Sequence, residues 1–242
     1  MRCRSLWEQG LALVFPEVCQ SCYQESATRR EGYICARCWQ RLRFVRHPFC
    51  GCCGLPFDGD VFSVFRCGNC EGQKFAFQAA RSAVIANEFS LELIHRYKYG
   101  GAIWLEKLLA DLLWNQLSHL QLVKGWDLLV PVPLFPTRER QREFNQAARI
   151  ATLIAQRMGV DCGRDLLKRV APTSSQTMLT RSERRNNVRG AFAGGNLRPL
   201  KGLRVMLVDD VFTTGATTNA CARVLRGLGA AEVWVCTVVR GL

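Results

Sequence analysis

An acidic pair followed by a turn rich in hydroxyl groups and glycine carries the most informative chemistry in the chain. Residues 205–218 are VMLVDDVFTTGATT, in which a short apolar run leads into Asp209 and Asp210. Such a run is typical of a strand buried on both faces of a parallel sheet, and a helical pattern follows the turn. The turn is therefore expected at the carboxyl edge of the sheet, where open α/β sheets bind ligands.

The residues of this turn suit a sugar phosphate. Backbone N–H groups at a helix N-terminus attract a phosphate, and threonine hydroxyls add further donors. Two neighbouring carboxylates can accept hydrogen bonds from a vicinal diol, such as ribose O2 and O3. The predicted binding residues are Asp209, Asp210, Thr213, Thr214, Gly215, Ala216 and Thr217. The alternative is an ordinary strand–turn–helix connection, and the turn lacks the Gly-Lys-Ser/Thr of nucleotide hydrolases.

Four C-x-x-C pairs indicate metal binding in the amino-terminal part of the chain. Ten of the thirteen cysteines precede residue 71. Four thiolates from two such pairs complete a tetrahedral zinc site, so we predict two zinc ions. The predicted ligands are Cys19, Cys22, Cys35 and Cys38 in one site and Cys50, Cys53, Cys67 and Cys70 in the other. The spacing also allows an interleaved assignment, or Cys52 in place of a neighbour. Disulfides would require an oxidising compartment, and no export signal is recognisable.

The chain is strongly basic, with a formal net charge of +13. Two zinc sites of four thiolates each would reduce this charge to about +9. A basic balance favours nucleic acid, phosphate ligands or an anionic membrane surface, and the alternative is a solvated basic surface. Arg138, Arg140 and Arg142 follow a predicted strand and precede a helix, which is a second arrangement suited to phosphate.

The hydrophobic pattern predicts an α/β fold. Strands are expected at residues 79–86, 127–133, 165–170, 205–208 and 232–239. Helices are expected at residues 89–97, 105–117, 147–158 and 216–228. Their alternation predicts a doubly wound, mostly parallel sheet at residues 74–242, preceded by a small zinc-ribbon module at residues 1–73. A short helix is expected at residues 10–15 and another where Thr180 and Glu183 form a capping box.

No apolar run approaches the length of a membrane-spanning helix, and this predicts a cytoplasmic protein. Peripheral association with the inner membrane is the alternative. Tyr97, Tyr99, Trp104 and Phe75 are candidates for stacking on bases, although most aromatic side chains belong to the core.

The order of the motifs resembles that of the ComF/GntX family, in which a double zinc ribbon precedes a domain of the type I phosphoribosyltransferase type. The matching segments beside the C-x-x-C pairs are LIHRYKYGG at residues 93–101, VPVPLFP at 130–136, FNQA at 144–147, the pattern from Gln176 to Phe192, and VDDVFTTGATT at 208–218. The resemblance covers nearly the whole chain.

This resemblance implies a ligand and a biological role. Phosphoribosyl pyrophosphate, with magnesium, would place its ribose and 5′-phosphate at residues 208–218 and its pyrophosphate at residues 131–138, including Pro133 and Arg138. Residues 171–185 would form a mobile loop over the ligand. The family also implies handling of single-stranded DNA during natural transformation, with other DNA-uptake proteins at the inner face of the membrane. The expected DNA-binding residues are Arg138, Arg140, Arg142, Arg181, Arg184 and Arg185.

Two points stay open at the level of sequence. The family usually has glycine where this chain has Glu143. Either the glycine lets the backbone approach pyrophosphate, so that Glu143 weakens the site, or Glu143 points outward in the first turn of the next helix. In addition, no segment is recognisable as a base-binding hood. An active phosphoribosyltransferase acting on an unidentified base, or a zinc-stapled protein–protein adaptor, are therefore the alternative functions.

Overall fold

The structure, a computed structural model, describes residues 17–28, 31–59, 65–172, 188, 190–195 and 199–242. It forms two compact units, Met1–Leu42 and Arg43–Leu242. Several expectations lie outside the described residues. They are the helix at residues 10–15, the capping box at Thr180 and Glu183, most of the loop at residues 171–185, and Arg181, Arg184 and Arg185.

The smaller unit surrounds the first group of cysteines. An isolated antiparallel bridge joins Val18 to Ser26, and the four-residue helix α1 spans Ala36–Trp39. Among its described residues, Ala27, Ile34 and Leu42 are buried together with three of the cysteines. So small an apolar core is characteristic of domains that depend on a metal or a disulfide for stability.

The larger unit contains a five-stranded sheet in which every pairing is parallel. In spatial order its strands are β1 (Ala80–Ile85), β7 (Glu232–Arg240), β6 (Arg204–Phe212), β2 (Leu128–Pro131) and β3 (Asp161–Cys162). The mostly parallel α/β sheet expected from the sequence is confirmed, whereas the short β3 was not expected. Pro131 pairs with Val208, so β2 ends beside the residue that precedes the acidic pair of β6.

The helices of this unit are α2 (Glu88–Tyr99), α3 (Leu105–His119), α4 (Pro136–Arg142), α5 (Gln146–Met158) and α6 (Ala216–Gly227). The sheet is packed against by α3, α5 and α6, whereas α2 packs on α3. Val205 and Leu207 of β6 share one hydrophobic cluster with Cys221 and Leu225 of α6. Side chains alternate along a strand, so the intervening Met206 faces the opposite side, where α3 and α5 pack on the sheet and on each other.

Two elements differ from the pattern expected from the sequence. The strand expected at residues 165–170 is β4 (Leu167–Arg169), but it pairs antiparallel with β5 (Phe192–Gly194) in a separate two-stranded sheet. The basic segment after β2 is the helix α4 rather than a loop. Pro136 supports this helix because proline at the first helical position needs no hydrogen-bonded N–H.

The second group of cysteines lies in the larger unit. Cys52 O accepts a hydrogen bond of 2.7 Å from the N–H of Ala80, at the start of β1. Cys50, Cys53 and Cys70 belong to the same hydrophobic cluster as the sheet. The domain boundary after residue 73 stays a prediction, and the compact units themselves divide between residues 42 and 43. In the part of the chain that the structure describes, no helix is long and apolar enough to cross a membrane.

Candidate functional site

The acidic pair lies inside β6, which runs four residues further than the sequence predicted. Pairing with β7 explains the extension, since Asp209 lies opposite Thr237 and Phe212 opposite Arg240. Consecutive strand residues face opposite sides, so Asp209 lies on the face covered by α6 and Asp210 on the other. The two carboxyl groups therefore have different surroundings.

Lys98 of α2 forms an ion pair with Asp210. Burial acts to raise the pKa of Asp210, but the charge of Lys98 and the hydrogen bonds to Asp209 and Lys98 together outweigh it, and the pKa lies below its ordinary value. Burial and the adjacent charge of Asp210 raise the pKa of Asp209 well above its ordinary value. Asp209 is therefore the member of the pair that holds a proton more tightly. Lys98 was not among the expected site residues, although it lies in the LIHRYKYGG segment.

The turn between β6 and α6, residues 213–215, depends on glycine. Gly215 has φ 75°, in the left-handed region, and a Cβ atom there would lie 2.7 Å from Cζ of Phe212. Glycine has no Cβ atom and adopts this conformation without a steric penalty. It also provides no capping side chain, so the first N–H groups of α6 are suited to an anion.

A cleft joins Asp209 to the start of α6. It is open to solvent, has about 230 Å³ of space including that open part, and is lined by Asp209, Val211, Phe212, Thr213, Gly215, Ala216, Thr217 and Thr218. The structure thus brings most of the expected sugar-phosphate residues around one cleft. Thr214 lies in the same turn, with its hydroxyl 3.4 Å from the N–H of Ala216. Asp210 is not part of this lining and faces Lys98 instead.

The segment after β2 runs beside this cleft. Val132 N–H donates to Val208 O at 2.9 Å, and Pro133 is buried. Asn145 of the FNQA element donates from Nδ2 to Val132 O at 3.1 Å. Its Oδ1 also accepts from Ala148 N–H and caps α5. Asn145 therefore ties the backbone of the expected pyrophosphate segment to the start of a helix.

Arginines converge near the same edge. Arg138 and Arg142 are four residues apart on α4 and share a face, while Arg140 is exposed between them. Burial lowers the pKa of Arg169 in β4, and the charges of Arg138 and Arg142 lower it further while Asp209 opposes them. This mutual influence indicates a positively charged region beside Asp209. Arg169 was not among the expected site residues because its sequence context indicated only a strand.

Glu143 follows α4 in the left-handed conformation, with φ 66°. The alternative in which Glu143 lies in the first turn of the next helix does not hold, because α5 begins at Gln146. A left-handed backbone suits glycine, and a residue with a Cβ atom in this conformation loses about 1–2 kcal/mol.

The four candidate aromatic residues differ in exposure. Tyr97 is fully buried and packs against Phe144 at 5.2 Å between ring centroids, so it belongs to the core. Phe75 is half-buried and stacks on Phe77. Tyr99 and Trp104 are exposed. Arg142 donates to the hydroxyl of Tyr99 at 2.6 Å and lies over its ring, which places an aromatic surface beside the basic region.

The cysteines form two clusters of four, each consisting of two consecutive C-x-x-C pairs. The first cysteine cluster is Cys19, Cys22, Cys35 and Cys38, and the second is Cys50, Cys53, Cys67 and Cys70. Within each cluster all sulfur atoms lie within 4.8 Å of one another. Zinc bound to four sulfurs at about 2.3 Å requires sulfur–sulfur distances of about 3.8 Å. The distances of 3.8 Å for Cys22–Cys35 and 3.6 Å for Cys53–Cys67 fit this requirement.

The two clusters repeat one local geometry. In each cluster the sulfur of the first cysteine accepts a hydrogen bond of 3.3 Å from the backbone N–H of the third. Cys35 donates to Cys19 in the first cluster, and Cys67 donates to Cys50 in the second. Burial acts to raise the pKa of Cys50, but N–H groups including those of Cys53 and Cys67 lower it to about 7. Burial and the charge of Cys53 raise the pKa of Cys67 to about 11. Such a cluster needs a cation for all four thiolates to form.

Comparisons with known proteins agree with this architecture. Residues 10–71 match the double zinc ribbon domain, and residues 145–242 match the phosphoribosyl transferase domain. Together, the parallel sheet, the acidic pair and the two cysteine clusters thus define a phosphoribosyltransferase-like protein with a double zinc ribbon.

Similarity to known proteins over nearly the whole chain identifies the family. Competence protein F of Haemophilus influenzae is 30% identical over 215 residues, covering 86% of this chain and 90% of that protein. DNA utilization protein YhgH of Salmonella typhimurium is 30% identical over 234 residues, covering 95% and 100%. Competence protein ComFC of Bacillus subtilis is 26% identical over 237 residues, covering 92% and 93%. The chain belongs to the ComF/GntX family.

Proposed function

We propose that this protein binds phosphoribosyl pyrophosphate with magnesium at the carboxyl edge of its sheet and handles single-stranded DNA during DNA uptake. The observation that carries the proposal is the cleft that joins the carboxylate of Asp209 to the start of α6. It offers acceptors for a diol and N–H donors for a phosphate in one place. The names of the relatives, competence and DNA utilization proteins, support the biological role.

Each part of the ligand has suitable residues. The 5′-phosphate would lie on the β6–α6 turn and the first N–H groups of α6. The ribose diol would contact Asp209, and the pyrophosphate would extend along Pro133 towards Arg138 and Arg169. Magnesium would lie between Asp209 and the phosphates, where it supplies positive charge. Because a bound cation favours an ionised carboxyl group, it would offset the burial that keeps the pKa of Asp209 high.

Single-stranded DNA would bind the basic region next to this cleft. Arg138, Arg140 and Arg142 supply positive charge for phosphates, and the exposed ring of Tyr99 supplies a stacking surface. The expected contribution of Arg181, Arg184 and Arg185 stays a prediction. We place this role at the cytoplasmic side of the membrane, and we propose that each cysteine cluster holds one zinc ion.

Calorimetry with phosphoribosyl pyrophosphate and magnesium tests the ligand site. Losing a hydrogen bond to a charged group costs about 1.5–3 kcal/mol, so Asp209→Ala and Thr214→Ala should weaken binding by roughly ten- to a hundredfold. Asp210→Ala should also weaken binding, with lower stability because Lys98 loses its partner. Asp127→Asn is the control, since Asp127 accepts a hydrogen bond from Arg204 at the opposite edge of the sheet. Unchanged affinity in both Asp209→Ala and Thr214→Ala would reject the site.

The salt dependence of oligonucleotide binding tests the DNA role. Each contacted phosphate contributes about −0.7 to the slope of log affinity against log salt concentration. Replacing Arg138, Arg140 and Arg142 by alanine should therefore make the slope shallower by roughly two. Arg157→Ala is the control because Arg157 of α5 forms an ion pair with Asp111 of α3. An unchanged slope in the triple variant assigns these arginines to another ligand.

Competition between the two ligands distinguishes the alternatives. If phosphoribosyl pyrophosphate displaces the oligonucleotide, both use the basic region beside Asp209. If it does not compete, and pyrophosphate is released on addition of a base, the protein is an active phosphoribosyltransferase. If neither ligand binds, the adaptor function remains.

A further inference from the structure

Arg240 joins the second cysteine cluster to the β6–α6 turn. This last residue of β7 is only 2% exposed. Its Nε donates to Cys53 O at 3.1 Å, and its Nη2 donates to Cys53 Sγ at 3.4 Å. Its Nη1 contacts the carbonyl oxygens of Phe212 at 3.3 Å, Thr213 at 3.1 Å, and Gly241. One guanidinium group therefore holds both a cluster cysteine and the first residues of the turn.

Further contacts surround this connection. A cleft between the second cysteine cluster and the turn is lined by Cys53, Asn69, Cys70, Phe75, Phe212, Thr213, Thr214 and Arg240. Gly241 N–H donates to Phe212 O at 2.8 Å, and the guanidinium carbon of Arg240 lies 5.1 Å from the ring centroid of Phe212. Ala76 N–H donates to Oδ1 of Asn219 in α6 at 2.7 Å. The segment after the cluster thus also reaches the helix whose start lines the candidate ligand cleft.

We infer that Arg240 is a positioning residue that couples metal occupancy of the second cysteine cluster to the conformation of the β6–α6 turn. Groups that hydrogen-bond to a metal ligand orient that ligand, and the effect operates in both directions. When a metal holds the sulfur of Cys53, the guanidinium is fixed and its other N–H groups fix the carbonyls of Phe212 and Thr213. The N–H groups of the turn then point into the cleft. The consequence for ligand affinity rests on the proposed function.

The shape of arginine is essential to this coupling. A guanidinium presents five N–H donors in a rigid plane, so it can contact the sulfur and carbonyl of Cys53 and the turn carbonyls together. Lysine keeps the charge but has one flexible ammonium group and cannot span both sets of acceptors. Arg240→Lys therefore tests the connection at constant charge. Arg226→Lys is the matched control, because Arg226 donates to the carbonyls of Ala230 and Ala231 at the far end of α6.

The first experiment follows zinc release to a chelating dye at constant magnesium, with and without phosphoribosyl pyrophosphate. Cys19→Ser and Cys50→Ser variants assign the release phase of each cluster. Typical coupling between sites is about 5- to 150-fold, so the ligand should slow release from the second cluster by about fivefold or more. Release from the first cluster should not change. In Arg240→Lys the effect should fall below about twofold, and in Arg226→Lys it should persist.

The second experiment needs no ligand. Amide hydrogen exchange at residues 213–216 should accelerate in zinc-loaded Arg240→Lys and not in Arg226→Lys. Unchanged exchange there, or undiminished slowing of zinc release in Arg240→Lys, overturns the inference. If calorimetry shows that phosphoribosyl pyrophosphate does not bind at all, the proposed function fails and hydrogen exchange alone decides the inference. If Arg240→Lys does not fold, the wild-type protein decides it, because a ligand that binds without slowing release from the second cluster contradicts the coupling.

Discussion

The two cysteine clusters share the C-x-x-C pairs and the hydrogen bond from the third cysteine to the sulfur of the first, but they have different surroundings. Basic side chains near the first cluster, such as Arg37 and Arg41, are exposed. Around the second cluster, Arg66 is exposed as well, but Arg240 is only 2% exposed and donates to Cys53. Arg81 also lies against this cluster, close enough for the charges of its cysteines to act on the guanidinium.

Arg81 shows how the second cluster is built into the larger unit. Its Nη1 donates to Gly51 O at 3.0 Å and to Ala80 O at 2.8 Å. Its guanidinium carbon lies 4.9 Å from the ring centroid of Phe49 and 5.4 Å from that of Trp234. Burial lowers the pKa of Arg81, and the neighbouring cysteines oppose this effect. The group therefore connects a C-x-x-C turn, β1 and β7.

The comparison shows that spacing selects the ligands whereas the surroundings decide what the cluster does. Zinc with four thiolates has a net charge of −2, which is unfavourable in an apolar core unless cations lie close. The second cluster is part of such a core, and arginines surround it. The first cluster stabilises a small unit with few buried side chains. The same motif thus stabilises a small separate unit in one case and forms part of the core beside the candidate ligand cleft in the other.

The largest expected difference is in stability. Cys50→Ser should lower the free energy of unfolding of residues 43–242 by about 4 kcal/mol or more, because metal binding energy is folding energy. Cys19→Ser should change the free energy of unfolding of residues 43–242 by no more than about 0.5 kcal/mol, since its effect is confined to the smaller unit. Amide hydrogen exchange of β6 and β7 measures the difference. Equal loss of protection in both variants would show that the two clusters contribute equally to the stability of the larger unit.

A smaller difference is expected for arginines next to the clusters. Arg81→Met should reduce the free energy of unfolding by about 2–3 kcal/mol, because buried carbonyls and thiolates lose a charged partner. Arg37→Met, beside the first cluster, should change it by no more than about 0.5 kcal/mol. Urea unfolding of both variants measures these values. A loss in Arg37→Met as large as that in Arg81→Met would show that both clusters need basic neighbours.

The smallest effect is expected at Cys52, which lies outside both clusters. Ser21 occupies the corresponding position in the first C-x-x-C pair, so Cys52→Ser makes the two motifs more alike. Elemental analysis should still give two zinc ions per chain, and stability should fall by about 1 kcal/mol. A decrease to one zinc ion would show that Cys52 is a ligand and would contradict the ligand assignment based on the C-x-x-C spacing.

Local patterns in the sequence predicted most elements of the larger unit. Helix α3 was expected at residues 105–117 and spans Leu105–His119, and α6 was expected at residues 216–228 and spans Ala216–Gly227. These helices have clear apolar periodicity. Strand β3 has two residues and only one neighbour, so no pattern of its own could reveal it. Residue spacing likewise predicted the cysteine quartets, because both partners of each pair lie on one turn.

The sequence by itself predicted the four C-x-x-C pairs, most of the order of strands and helices, and the acidic pair before a glycine turn. All of these depend on residues close together in the chain. Only the tertiary structure decided that Lys98 meets Asp210, that Arg169 lies near Arg138, and that Arg240 meets Cys53. The last two residues are 187 positions apart. They meet because the segment that carries Cys53 is hydrogen-bonded to the start of β1, and β1 pairs with β7, which ends at Arg240. No local pattern specifies such a contact.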